Sequence, residues 1–285
     1  MRENWPNFFI VGASRSGTTS LHEYLAVIPD VFMSKLKNPN FFGSYDPDTV
    51  NDGKSYLELF KDVTTEKAIG ESTGYLRSSE AARKIHEKIP HAKIIISLRN
   101  PIERTFSHYL RAGLSGNESL TFSESFEKYM EPIDKESEFY NHYVKSSFYF
   151  DDVKRWMELF GSKQVKIIIF EEFIKNPKQM IKQILDFLNV ISKIPDDIGD
   201  ARNPYAEPLG NFGDSIVKNK TISKIVKSIL PGKIGILVLR TILNKNTQKP
   251  KITSHEREIL GKHFQEDVLK LKEVLGRDLP WKLNW

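Results

Sequence analysis

The chain has 285 residues, 39% hydrophobic and 28% charged, with a formal net charge of +5; this is the balance of a water-soluble globular protein with a sizeable core. It has no cysteine, which excludes disulfides, thiolate nucleophiles and thiolate-bound zinc and suits a reducing compartment, so a cytoplasmic location is expected. No run of about 18 uncharged apolar residues exists to form a transmembrane helix, and Met1 to Phe9 lacks the basic start and small-residue cleavage site of a signal peptide.

The positive charge is local. Between Ser215 and His255 stand nine Lys/Arg and no Asp or Glu, which leaves 33 basic against 37 acidic residues elsewhere. An anion-facing segment is therefore expected, and with no recognition motif beside it nucleic acid is excluded as a partner. The seven histidines are scattered without an HExxH spacing, so no metal site is expected.

In chain order, Asn7 to Val11 is a short apolar run ending at Gly12, which predicts a buried strand meeting a tight turn. Thr18 to Val27 then reads as a helix, with Leu21, Tyr24 and Leu25 on one face and Pro29 beyond its end. Ala68 to Gly70 is a weaker strand, and Lys93 to Leu98 (KIIISL) a stronger one. Asn100 and Pro101 open a helix to about Ala112. Ser146 to Phe160 reads as a helix, Val165 to Phe170 as a buried strand, and Gln179 to Leu188 as a helix. A last helix starts near Thr253, where TSHE forms a capping box, and ends before Gly276 and Pro280. Continuous apolar strands alternating with helices predict an α/β fold, a three-layer arrangement with a central parallel sheet flanked by helices. No repeat or convincing linker interrupts it, so residues 1–285 are expected to form one domain.

The segment Gly12–Thr19 (GASRSGTT) lies between a predicted strand and a predicted helix. Amide groups at a helix N-terminus, with the helix dipole behind them, make an anion site. The spacing is that of a P-loop, GxxxxGK[ST], but Thr18 stands where the lysine belongs and the one cation, Arg15, is inside the loop. The loop can cradle a phosphate, yet it lacks the lysine for metal-assisted γ-phosphoryl transfer. A second anion site is indicated by Arg99, just past the end of a predicted strand, with Ser107 about two turns into the following helix.

FFIVGASRSGTTSLHEYL resembles the 5′-phosphosulfate loop of sulfotransferases that use 3′-phosphoadenosine 5′-phosphosulfate (PAPS), in particular the branch with heparan sulfate sulfotransferases and their bacterial relatives. The resemblance implies that Gly12, Ala13, Ser14, Arg15, Ser16, Gly17, Thr18 and Thr19 surround the phosphosulfate, with Arg15 steadying the departing bridging oxygen. It further implies that Arg99 and Ser107 grip the 3′-phosphate. GESTGY (Gly70–Tyr75) resembles the family's turn near the acceptor, and SFY followed by Arg155-Trp156 resembles a nucleotide-binding element in which Tyr149 takes part and Ser147 replaces a glycine. QKPK, with Lys249 and Lys251, resembles the basic loop that closes over PAPS, and DLPW (Asp278–Trp281) resembles the family's ending. The likeness spans nearly the whole chain.

Lys37-Asn38-Pro39-Asn40-Phe41-Phe42 resembles the family segment KExxFF, whose glutamate is usually taken as the general base. Asn38 stands there instead, and an amide cannot take a proton. Three readings stay open: Glu71 or His22 substitutes as base, the acceptor needs little base assistance, or the protein binds the nucleotide without transferring sulfate. Lys37 remains a candidate for the sulfuryl oxygens. The expected reaction uses PAPS as donor, releases the bisphosphate PAP and needs no metal; the expected acceptor is a carbohydrate, with a lipid-like or other small molecule as the alternative. Residues 222–243 mix Lys/Arg with Ile, Leu and Val around Pro231-Gly232. They read either as two helices packed on the sheet or as a lid that meets an anionic acceptor or a lipid surface.

Overall fold

The computed structural model describes residues 3–43, 50–114, 118–199 and 250–283. The basic segment 222–243 and Lys249 lie outside these described residues.

Five strands form one sheet: β1 (Phe8–Gly12), β2 (Val31–Met33), β3 (Ala68–Ser72), β4 (Lys93–Leu98) and β5 (Val165–Ile169). Their order is β2-β3-β1-β4-β5, and every neighbouring pair is parallel. Phe8 lies opposite Gly70 on one side and Lys93 on the other, with a register irregularity between Ile10 and Gly12 as β1 leaves the ladder. Parallel strands covered on both faces need apolar residues throughout, and all five residues of β1 are buried. The α/β arrangement expected from the sequence, a central parallel sheet flanked by helices, is the one observed.

The helices follow local signals. Helix α1 (Thr18–Ala26) follows β1, and the short α2 (Gly53–Glu58) follows β2. Helix α3 (Ser79–Lys88) is capped by Ser78 Oγ, which accepts from the amide of Ala81 at 3.1 Å. Helix α4 (Pro101–Leu114) follows β4, and α5 (Phe122–Met130) starts at a reciprocal cap between Thr121 and Glu124. A π-turn at Tyr140–Val144 and a 3₁₀ turn at Lys145–Ser147 precede α6 (Phe150–Phe160). Helices α7 (Phe170–Lys175) and α8 (Pro177–Leu188) follow β5, and α9 (Ser254–Leu275) starts at the expected cap, with the Thr253 hydroxyl accepting from the Glu256 amide at 3.2 Å.

The helix expected over 146–160 begins at Phe150 instead. Ser146 Oγ bonds back to the carbonyls of His142 and Tyr143, at 2.8 and 3.0 Å, which competes with regular helix bonding. The amides of Tyr149 and Phe150 both donate to the carboxylate of Asp267, at 2.9 and 3.1 Å, so α6 takes its cap from a distant helix.

The described residues divide into two compact units. One comprises those of Met1–Asn100, Phe148–Asn203 and Gln265–Trp281 and contains the whole sheet. Its core on one face joins Phe8 and Ile10 of β1 to Leu21 and Leu25 of α1 and to Ile181 and Ile184 of α8. Each such side chain contributes roughly 1.5–3 kcal/mol by leaving water. Phe9 points the other way, with its ring 5.7 Å from that of Phe42. The second unit comprises the described residues of Pro101–Ser147, Pro204–Phe264 and Lys282–Trp285. Within it, Arg104 is buried and donates to Ser146 Oγ at 2.6 Å and Ser147 Oγ at 2.9 Å.

Candidate active site

The strand order creates the site. From β1 the chain crosses to β2 on one side, while from β4 it crosses to β5 on the other. The loops leaving the carboxyl ends of β1 and β4 therefore diverge and open a crevice between two adjacent strands. That is the switch point at which open α/β sheets bind ligands.

One wall of the crevice is the turn from Gly12 to Gly17. Gly12 has φ 136°, and a Cβ there would lie 3.1 Å from Leu76 Cβ. Gly17, at φ 80°, is the N-cap of α1, and a Cβ on it would meet the Phe170 ring at 2.8 Å. Both positions thus combine a left-handed backbone with close approach. The turn is tied to β4: the Ala13 amide donates to the Ser97 carbonyl at 2.7 Å, and Ser97 Oγ donates to the Ser16 carbonyl at 2.6 Å. Ser14 is exposed; Arg15, Thr18 and Thr19 are half-buried and so open to a ligand. Ser16 is fully buried, and its Oγ has no hydrogen-bond partner among the described residues. Helix α1 has no acidic residue in its first turn, so its positive end carries no counter-charge of its own.

Arg99, at the end of β4, forms the other wall. Its Nη1 donates to the Arg15 carbonyl at 3.3 Å, and its guanidinium lies 5.0 Å from the centre of the Phe170 ring. Tyr149 is buried, and its hydroxyl donates to the Arg99 carbonyl at 2.9 Å. Two guanidinium-bearing residues, Arg15 and Arg99, thus meet at neighbouring strand ends. Ser107 lies on α4 in the second unit, where it is 4% exposed; Lys251, in the same unit, is exposed just before α9.

The segment after β2 reaches β3 through hydrogen bonds from the Ser34 amide to the Gly70 carbonyl (2.8 Å) and from the Asn38 amide to the Ser72 carbonyl (2.9 Å). Asn38 is exposed at φ 59°, a left-handed conformation that asparagine adopts more readily than most residues. Burial depresses the pKa of the Lys37 amine, against the pull of Glu23. Burial, and then the charge of Lys37, bring His22 down to about 4, which leaves its imidazole neutral at physiological pH. His22 Nδ1 is buried without a partner among the described residues.

Glu71 has a different environment. It is fully buried in β3, where Tyr56 and Thr73 donate to its two carboxylate oxygens, the Thr73 bond at 2.6 Å. Burial raises its pKa against the opposing effect of these hydroxyls.

The first unit thus brings together the loop of Gly12–Thr19, Arg99 and Tyr149, with Lys37 and His22 electrostatically coupled. Ser97 and Phe170, which hold these residues, did not stand out in the sequence. The one available signal was Ser97, the only uncharged polar residue in an otherwise apolar strand.

A glycine-bounded turn from a strand into a helix, with a second cation at the adjoining strand, is an arrangement with which α/β proteins bind phosphate groups. Residues 6–200 match the sulfotransferase domain family, and the chain belongs to that family. Among curated proteins, the membrane-associated sulfotransferase kil1 of Dictyostelium discoideum is 32% identical over 125 residues, covering 43% of this chain and 26% of that protein. The heparan sulfate glucosamine 3-O-sulfotransferase 6 of Mus musculus is 27% identical over 202 residues, covering 68% and 55%. The chain thus spans about a quarter to a half of the length of these relatives. A crystal structure of a sulfotransferase from Alicyclobacillus acidocaldarius superimposes with a TM-score of 0.72 at 29% identity, covering 97% of this chain and 98% of that one.

Proposed function

We propose that the protein transfers a sulfuryl group from PAPS to a hydroxyl or amine of a carbohydrate. The observation that carries this reading is the pair of cationic walls at one strand switch, Arg15 in a lysine-free phosphate loop and Arg99 hydrogen-bonded to its carbonyl. In this reading the amides of 13–17 with Thr18 and Thr19 hold the 5′-phosphosulfate, and Arg99 meets the 3′-phosphate. Tyr149 serves the nucleotide by fixing Arg99.

The acceptor oxygen attacks sulfur as the bond from sulfur to the bridging oxygen breaks, and the electron pair leaves on the 5′-phosphate beside Arg15. Fixed positive charge aimed at that oxygen lowers the barrier without reorganisation. The acceptor's proton goes to His22, and Lys37 faces the sulfuryl oxygens. His22 is preferred to Glu71 because it is neutral and incompletely hydrogen-bonded, whereas both oxygens of Glu71 are already engaged within the sheet. The carbohydrate acceptor is supported by the relative named for heparan sulfate glucosamine.

Single-turnover transfer of labelled sulfate from PAPS to a panel of glycans and small molecules tests the reading. Labelled glycan is expected, with His22→Ala slowing transfer by about 10²–10⁴-fold. Tight PAPS binding with no transfer to any acceptor would show a nucleotide-binding protein instead.

A further inference from the structure

Glu171 stands at the junction of β5 and α7, and both its carboxylate oxygens are engaged. One accepts the backbone N–H of Asn100 at 2.9 Å, and the other accepts the indole N–H of Trp281, also at 2.9 Å. Asn100 directly follows Arg99. The neighbouring Phe170 presents its ring to the Arg99 guanidinium, and the same ring bounds the space beside Gly17. On the opposite side, the Trp281 ring lies 6.0 Å from that of Tyr149, whose hydroxyl holds the Arg99 carbonyl. A closed circuit therefore runs from Arg99 through Asn100, Glu171, Trp281 and Tyr149 back to Arg99. Every contact in it lies within the first unit.

The circuit controls a direction. Asn100 is almost buried, so its amide needs an acceptor, and the one it has fixes the peptide plane from which Arg99 projects. A carboxylate accepting from both sides does this with charge-assisted bonds. The indole contributes by locking the Glu171 rotamer, which would otherwise turn its carboxylate toward water. Arg99 then keeps its bond to the Arg15 carbonyl with its guanidinium held at the strand end.

We infer that Glu171, held by Trp281, is a positioning residue for Arg99, so that the C-terminal Trp281 sets how well the protein recognises the 3′-phosphate of its donor. This rests on the reading that Arg99 binds that phosphate. The opposite expectation is also physical: a carboxylate close to an anion site repels the ligand, and its removal would then tighten binding.

Calorimetry with 3′,5′-bisphosphoadenosine and with AMP, which lacks the 3′-phosphate, separates the two. Glu171→Gln places an NH₂ against one of the two N–H donors. It is expected to weaken bisphosphate binding about tenfold or more while AMP affinity stays within about twofold. Trp281→Phe keeps the ring and removes the donor, so a smaller loss of the same kind is expected. The double variant should be no worse than Glu171→Gln alone, because both changes act on one interaction, and Glu171→Gln should add nothing to Arg99→Ala. Tighter bisphosphate binding, an unchanged preference, or equal losses for both nucleotides would overturn the inference. If Glu171→Gln does not fold, Trp281→Phe is read by the same criteria. A wild-type protein without preference for the bisphosphate would remove the function reading and this inference with it; a preference that survives Glu171→Gln removes the inference alone.

Discussion

Arg15 and Asn38 are both non-glycine residues in left-handed backbone, at φ 70° and 59°. Such a conformation costs on the order of 1 kcal/mol, and at Arg15 it falls in the turn proposed to wrap an anion. At Asn38 the side chain suits the backbone better than a glutamate would. His22 carries a sharper consequence. Its folded-state pKa lies near 4 against an ordinary 6.5, mainly because of burial. Between those values the unfolded chain takes up a proton that the folded chain refuses, so stability present above pH 6.5 is lost as pH falls toward 4. The His22 ring resonances should stay at their neutral positions down to about pH 5, and His22→Gln should flatten the fall in urea midpoint across that window. A His22 titration near 6.5 would contradict this environment. Arg15, Thr18, Thr19 and Arg99 were legible in the sequence because loop chemistry is local. Glu171 was not, because its partners lie 71 residues upstream and 110 downstream.

Among the elements, the apolar strands at 8–12, 93–98 and 165–169 were readable because their nearly continuous apolar runs leave little alternation to misread. Strand β2 has only three residues, too few for any period. Helix α3 went unread because its buried face consists of Ala81, Ala82 and Ile85, a weak apolar signal among charged neighbours. The start of α6 escaped for another reason: Asp267, which accepts from the amides of Tyr149 and Phe150, lies 118 and 117 residues away. Asp267→Ala leaves both amides without that acceptor and is expected to cost about 1–3 kcal/mol. Urea denaturation measures this directly, and an unchanged midpoint would show that α6 does not depend on the cap.

For the molecule as a whole, alternating strands and helices disclosed a parallel sheet, but its order came only from the structure. That order matters most, since the crevice between β1 and β4 exists because the chain leaves β1 toward β2 and leaves β4 toward β5, in opposite directions. The proposed clamping of one ligand at two phosphates rests on this topology and on the hydrogen bond from Arg99 to the Arg15 carbonyl. The direct measurement is calorimetric comparison of 3′,5′-bisphosphoadenosine with AMP on the wild type and on Arg99→Ala. The wild type should bind the bisphosphate at least about tenfold more tightly, and the variant should bring the two within about twofold. Equal affinities in the wild type, or a preference untouched by Arg99→Ala, would contradict the assignment of these two walls to a single doubly phosphorylated nucleotide.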